Sequence, residues 1–331
     1  MRFTLLAIVA LLFSSQSYSR SVIEVVGSST VYPFATVVAE RVGKTTGIRT
    51  PKIESTGTGG GMKLFCGGVG TRYPDATNAS RKIKDSEVAK CASNGVTDIL
   101  EVNVGYDGIV LANSKASKVL NVTRKEIFLA LAKVVPDSDG NLIANPYIYW
   151  SDIEASLPNK KIEVLGPPPT SGTRDAFVEL AMEGGCKKFP QLKAMKKINK
   201  SQYKSVCHTI REDGAYVEAG ENDNLIINKL TKNPKAYGIF GFSFLDQNAE
   251  KVQGALIEGV EPTFENIADK SYSVSRPLYF YVKKAHVGVV PGIAEYVREF
   301  TSEKARGDDG YLLDKGLIPL SKDLRDSFIG L

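Results

Sequence analysis

The chain has 331 residues, 43% of them hydrophobic and 24% charged, which is ordinary for a folded globular protein and long enough for about two domains. Its 42 Lys and Arg against 37 Asp and Glu give a net charge of +5, which suits an anionic ligand but is too slight to argue for nucleic acid. With only two histidines, His208 and His286, each read as a surface or cap residue, a hydrolytic zinc site or a catalytic triad has little to draw on.

In chain order, Met1-Arg2, the apolar run Leu5–Phe13 and small Ser17 and Ser19 form the zones of a secretory leader cut after Ser19. The apolar run is too short to span a bilayer. The first cysteine is Cys66, so no residue close behind the cut suits a lipid anchor. An exported periplasmic protein without such an anchor is expected. The other reading of 1–19 is a buried first helix.

"IEVVG" (23–27) reads as a strand, followed by a helical pattern of Val31, Phe34, Val37, Val38 and Val42. "PKIES" (51–55) precedes a glycine cluster and a helix carrying Met62, Leu64 and Phe65. "DILEVNVGYDGIVLANS" (98–114) follows, then "KIEVLG" (161–166), a helix from about Thr173 to Met182, and the strand-like "AYGIFGFSFL" (236–245) and "RPLYFYVKK" (276–284). Alternating strand and helix predict an α/β protein with largely parallel sheets. The runs at 98–114 and 276–284 are long for one lobe. Both are predicted to cross between two lobes as a double hinge, with ligand bound in the cleft; a single linker is the alternative.

Four cysteines in an exported chain read as disulfides. The sequential pairing Cys66–Cys91 and Cys186–Cys207 is expected among the three connectivities that four cysteines allow. The lysines between Cys186 and Cys207 (Lys187, Lys188, Lys193, Lys196, Lys197, Lys200, Lys204) form a solvated helical face or a docking patch for an acidic partner.

Three segments repeat one design, a strand, a cluster of hydroxyls and glycines, then a helix: "GSSTVYPF" (27–34), "ESTGTGGGMKLF" (54–65) and "GPPPTSGTRDAF" (166–177). Glycine lets backbone approach a ligand, hydroxyls donate, and the first helical N–H groups are free and carry the positive end of the helix dipole. One such cluster is an ordinary N-cap. Three together predict an oxyanion site. Nucleotide loops fail, because Val38 stands where "GKTT" (43–46) would need the first Walker A glycine and "GTGGGM" is not G-x-G-x-x-G. No G-x-S-x-G elbow occurs either.

With "NASRKIKDSE" (78–87), "YDGIVLAN" (106–113) and "DDGYLLDKGLIPL" (308–320), these clusters make most of the chain after residue 19 resemble the periplasmic phosphate-binding proteins of phosphate ABC transporters. The resemblance implies a two-lobed, type II-like binding-protein fold that closes over one inorganic phosphate without chemistry. It also implies a permease as partner, a monomeric receptor, and neither cofactor nor metal. Lobe one would comprise 20–105 and 277–331, lobe two 106–276. Ser29, Thr30 and the Val31 N–H match the first-lobe donors, Thr58 the second cluster, and Ser171, the Gly172 N–H and Thr173 the second-lobe cluster. Two positions depart from the family pattern. Arg81 stands where an aspartate follows "AS", and Pro167 where an arginine precedes the S-G-T serine by four. A protonated phosphate oxygen needs an acceptor, so Asp107 is expected to supply it, with Arg81 and Arg174 as charge partners. A surface Asp107 in a turn before Gly108 is the alternative. Another oxyanion or a phosphonate, or phosphate-ester hydrolysis, are the competing functions.

Overall fold

The computed structural model describes residues 20–169, 171–220 and 223–328; the expected leader lies outside them. Lobe one begins β1 (Glu24–Gly27), α1 (Tyr32–Thr46), β2 (Lys52–Ser55), α2 (Gly57–Phe65), β3 (Ala76–Ala79), α3 (Asp85–Ser93) and β4 (Ile99–Ser114). Pro33 fits the first turn of α1, where its missing N–H costs nothing, and Gly47 ends the helix in the left-handed region. Between them Phe34, Ala35, Val38, Ala39 and Val42 form one buried stripe.

One sheet runs through both lobes. Its order is Lys52–Ser55, Glu24–Gly27, Ala76–Ala79, Ser275–Lys283, Ile99–Ser114, Tyr237–Gly241, Val164–Gly166, Tyr216–Glu218. β4 is the strand the lobes share: residues 99–108 pair with Ser275–Lys283, and 109–113 pair with Tyr237–Gly241. Two main cores flank this crossing. Val25, Val38, Val102, Phe280 and Val297 belong to one. Val110, Phe128, Trp150, Ile227 and Phe240 belong to the other. At the crossing, Tyr106 and Ile318 exchange backbone hydrogen bonds of 2.8 and 3.0 Å, so the C-terminal segment braces the hinge.

The expectation of largely parallel sheets needs correction. β1 pairs parallel with β2 and β3, and Val164–Gly166 is parallel to both its neighbours, but every ladder made by β4 or Ser275–Lys283 is antiparallel. A chain that leaves one lobe along β4 and returns along 275–283 must run in opposite senses on the two passages. The segment 236–245 is also half helix: Tyr237–Gly241 is a strand, and Phe242–Gln247 turns helical, burying Phe242, Ser243 and Leu245.

The disulfides are Cys66–Cys91, tying α2 to α3, and Cys186–Cys207. Beside the second, Lys187, Lys196 and His208 converge on Glu183 at 2.7–2.8 Å. Burial works against the Glu183 charge, yet these bonds outweigh it and hold the carboxyl far below its ordinary range. Lys193, Lys197, Lys200 and Lys204 are exposed. His286 is not the surface residue expected. It is buried, accepts the Gly70 N–H at Nε2 (3.0 Å), and thereby places its proton on Nδ1, facing Asp75 at 2.7 Å.

Gly27, where β1 ends, has φ +127°, and a Cβ there would collide with the Asn78 carbonyl. Gly27→Ala is expected to cost on the order of 2–4 kcal/mol through strain and overpacking, read as a lower urea midpoint.

Candidate functional site

The registers of β1, β2 and β3 place Gly27 beside Ser55 and Asn78. The clusters that follow β1 and β2, and Ser80 after β3, therefore emerge side by side at the carboxyl ends of three neighbouring parallel strands. α1 and α2 both start without a side-chain cap; in α1 the Tyr32 N–H bonds the Ser28 carbonyl at 3.1 Å and Pro33 has no N–H to place. Gly61 lets α2 pack close, since a Cβ there would strike the Gly27 backbone.

Across the cleft the third cluster follows Val164–Gly166. Ser171 caps the helix Gly172–Phe177 by accepting the Thr173 N–H at 3.2 Å. The helix then widens into a π-turn over Val178–Met182. The lobes meet here. Ser29 Oγ donates to Asp175 Oδ2 at 2.7 Å, and a Cβ on Gly172 would stand 3.1 Å from the Ser29 carbonyl oxygen. Only glycine permits that approach without displacing backbone.

Between the first and third clusters lies a cavity of about 530 Å³ lined by Thr30, Tyr32, Asp107, Ser171, Gly172 and Thr173, together with Asp223 and Lys315. A larger cavity, about 690 Å³, is lined by Phe242, Leu245, Pro262 and Phe264 and by none of the three clusters.

Asp107 is buried, not the surface turn residue that was its alternative. Its charge partner is Arg276, directly opposite on the neighbouring strand, with Nε 3.5 Å from Asp107 Oδ2. Arg276 also donates to Glu179 Oε2 (2.6 Å) in lobe two and Thr30 Oγ1 (2.6 Å) in lobe one. One guanidinium thus touches the crossing and both lobes. Burial raises the Asp107 pKa and Arg276 pulls it back, with the net shift upward. Neither Asp107 Oδ2 nor Arg276 Nε has a hydrogen-bond partner among the described residues, and the same holds for buried Thr77 Oγ1 and both side-chain polar atoms of Asn78. Buried polar atoms are rarely left so, and of these residues Asp107 lines the cavity.

This corrects the expected partners of Asp107. Arg81 is bound bidentately to Glu87, at 2.7 and 2.9 Å, because Glu87 caps α3 next to it. That bond holds Arg81 above its ordinary pKa, and Glu179 adds to the effect. Arg174 donates to the Pro167 carbonyl at 3.2 Å and lies over the Tyr216 ring at 4.3 Å. Val31 buries its side chain, so only its backbone can serve a ligand. Thr58 is hydrogen-bonded to Ser80, Oγ to Oγ at 3.0 Å, and does not line the cavity wall. Arg276 and Asp223 were missed. Arg276 could have been found as the charged residue opening the second crossing run; Asp223 carries no comparable signal.

A cleft between two lobes, hinged on two opposed strands and lined by donors from both sides, defines a two-lobed binding-protein fold. The PBP superfamily domain matches residues 14–304, and the chain belongs to that superfamily. Protein SphX of Synechococcus elongatus is 30% identical over 85% of this chain and 76% of its own length. The phosphate-binding protein PstS of Staphylococcus epidermidis is 29% identical over 86% and 77%. A crystal structure of a possible phosphate binding protein from Planctomyces limnophilus aligns with a TM-score of 0.72 at 28% identity, covering 92% of this chain and 95% of that one.

Proposed function

We propose that this chain captures inorganic phosphate outside the cytoplasm and delivers it to the membrane permease of an ABC transporter, binding and releasing it without chemistry. The observation that carries this reading is the meeting of the first and third donor clusters, one from each lobe, at one interlobe cavity beside the buried Asp107–Arg276 pair. The names of the PstS relatives support it. Residues 1–19 would direct export to the periplasm, where the receptor would act as a monomer.

In this reading the lobes, 20–105 with 277–331 and 106–276, close over a phosphate that both contact. A ligand held by both sides favours the closed state by its differential affinity. Thr30 and the Val31 N–H donate from one lobe, and Ser171, the Gly172 N–H and Thr173 from the other. Thr58, hydrogen-bonded to Ser80, is the donor assigned to the second cluster. Arg276 neutralises charge, and Asp107 accepts the phosphate proton. Arg81 and Arg174 supply positive potential from behind their own partners, and Ser29 clasps the closed cleft through Asp175. Sulfate at neutral pH has no proton for Asp107 and would leave a buried acceptor unpaired, a penalty worth about a hundredfold or more.

Titration calorimetry with phosphate, arsenate and sulfate tests this. Phosphate is expected to bind at micromolar or tighter, about −8 kcal/mol, with sulfate at least a hundredfold weaker. Equal affinities for phosphate and sulfate would overturn the reading. Turnover of a generic phosphate ester in the presence of divalent metals would replace it with hydrolysis.

A further inference from the structure

The cavity has a second acid wall. Asp223 opens the helix Asp223–Lys232 and lines the same space as Thr30, Asp107, Ser171 and Thr173. The residue is 7% exposed, and its Oδ2 accepts the Gly241 N–H at 3.2 Å. Gly241 lies on the strand that pairs with β4 opposite Ile109, two residues beyond Asp107, so the two acids are held by neighbouring strands.

Among the described residues, the charged and titratable groups around this cavity are few. β4 brings Asp107, the start of α1 brings Tyr32, and the C-terminal segment brings Asp314 and Lys315, both exposed. Arg276 is already shared by Asp107 and Glu179. Among the described residues, two buried carboxylates therefore line the cavity, with Arg276 beside Asp107, and Lys315 and Asp314 at the exposed lip. A fully ionised oxyanion would meet both acids without a hydrogen bond and with like charges opposed in a buried site. A tetrahedral anion bearing two protons can give one to each acid and still offer two oxygens to the hydroxyl and N–H donors. The cavity exceeds one small anion, leaving room for an approach from either wall; a water occupies only about 30 Å³.

We propose that Asp223 is a second proton-accepting subsite of this cleft, so that the ligand held is a tetrahedral oxyanion with two acid protons, dihydrogen phosphate. This rests on the phosphate reading of the site. Above neutral pH, where the monohydrogen dianion prevails in solution, one proton must come from solvent with each ligand bound, and it lies between Asp223 and the facing phosphate oxygen. Burial raises the Asp223 pKa to about 6, against the pull of the Gly241 N–H, which is consistent with a group that shares a proton with an anionic guest.

The test is phosphate titration of the whole exported chain at pH 8 in two phosphate-free buffers of different ionisation enthalpy, which yields the protons absorbed per phosphate. Wild type is expected to absorb about one proton, and its affinity to fall about tenfold per pH unit above neutrality. Asp223→Asn is expected to absorb almost none and to show a flat affinity over that range, and Asp223→Glu to restore uptake. Equal uptake in wild type and Asp223→Asn overturns the inference alone. Should the Asn variant not fold, uptake near zero in wild type overturns it equally. Absence of phosphate binding by wild type overturns the reading beneath it as well.

Discussion

Asp107→Asn is expected to weaken phosphate binding by roughly 30- to 1000-fold, the cost of losing a charge-assisted hydrogen bond in a buried site, on the order of 2–4 kcal/mol. The asparagine amide would present hydrogens where the ligand also presents one, while its carbonyl accepts more weakly than a carboxylate. Sulfate binding should strengthen at the same time, because the repulsion that excludes it is gone. The ratio of the two affinities, read by calorimetry at neutral pH, is the informative quantity. An unchanged ratio would place the proton acceptor elsewhere. Stability provides a second check with a definite sign. Burial raises the Asp107 pKa above its unfolded value, so the folded, ligand-free protein holds its proton more tightly than the unfolded chain. That stability is present below the unfolded pKa and is lost as pH rises through the folded one; the asparagine variant should lack this loss.

Arg276→Met should have the larger effect on the whole molecule. The guanidinium holds Thr30 on one lobe, Glu179 on the other and Asp107 between them. Removing it leaves Asp107 buried beside no cation, and breaking a buried pair from one side costs about 3–5 kcal/mol. Phosphate affinity should fall at least a hundredfold, since an anion would then enter beside an uncompensated carboxylate. Urea denaturation should show the variant recovering part of its stability as pH falls, because protonating Asp107 relieves the unpaired charge. Arg276→Lys keeps the charge but loses the fork that reaches three partners at once, so it should rescue stability better than affinity. A methionine variant with wild-type affinity would remove Arg276 from the site.

Much of the cleft was legible from local sequence because its donors are local devices. A strand that ends in glycine and hydroxyls before a helix must expose N–H groups whatever the rest of the chain does. So "GSSTVYPF" and "TSGTRDAF" announced themselves, and Thr30, Ser171, Gly172 and Thr173 all line the cavity. The strand β3 was not legible. Its sequence, Ala-Thr-Asn-Ala, has no β-branched run, and it is a strand because β1 and Ser275–Lys283 flank it and bury every residue. The charge partner of Asp107 was misassigned for a similar reason. Arg81 and Arg174 are close to donor clusters in sequence, but Glu87 and the Tyr216 ring engage them first. His286 is buried because Asp75 and Gly70, more than two hundred residues earlier, close around its two nitrogens.

The amino-acid sequence by itself determined the α/β class, the two long crossing runs, the hydroxyl and glycine clusters and the preference for an anion, since each depends on residue type and spacing along a few turns of chain. Only the tertiary structure decided which charges meet. Asp107 and Arg276 are 169 positions apart and become neighbours through the register of two antiparallel strands, and Asp223 reaches the same cavity from a helix in the second lobe. Ion pairing depends on distances of a few ångströms, and strand register fixes those distances only after the lobes have folded.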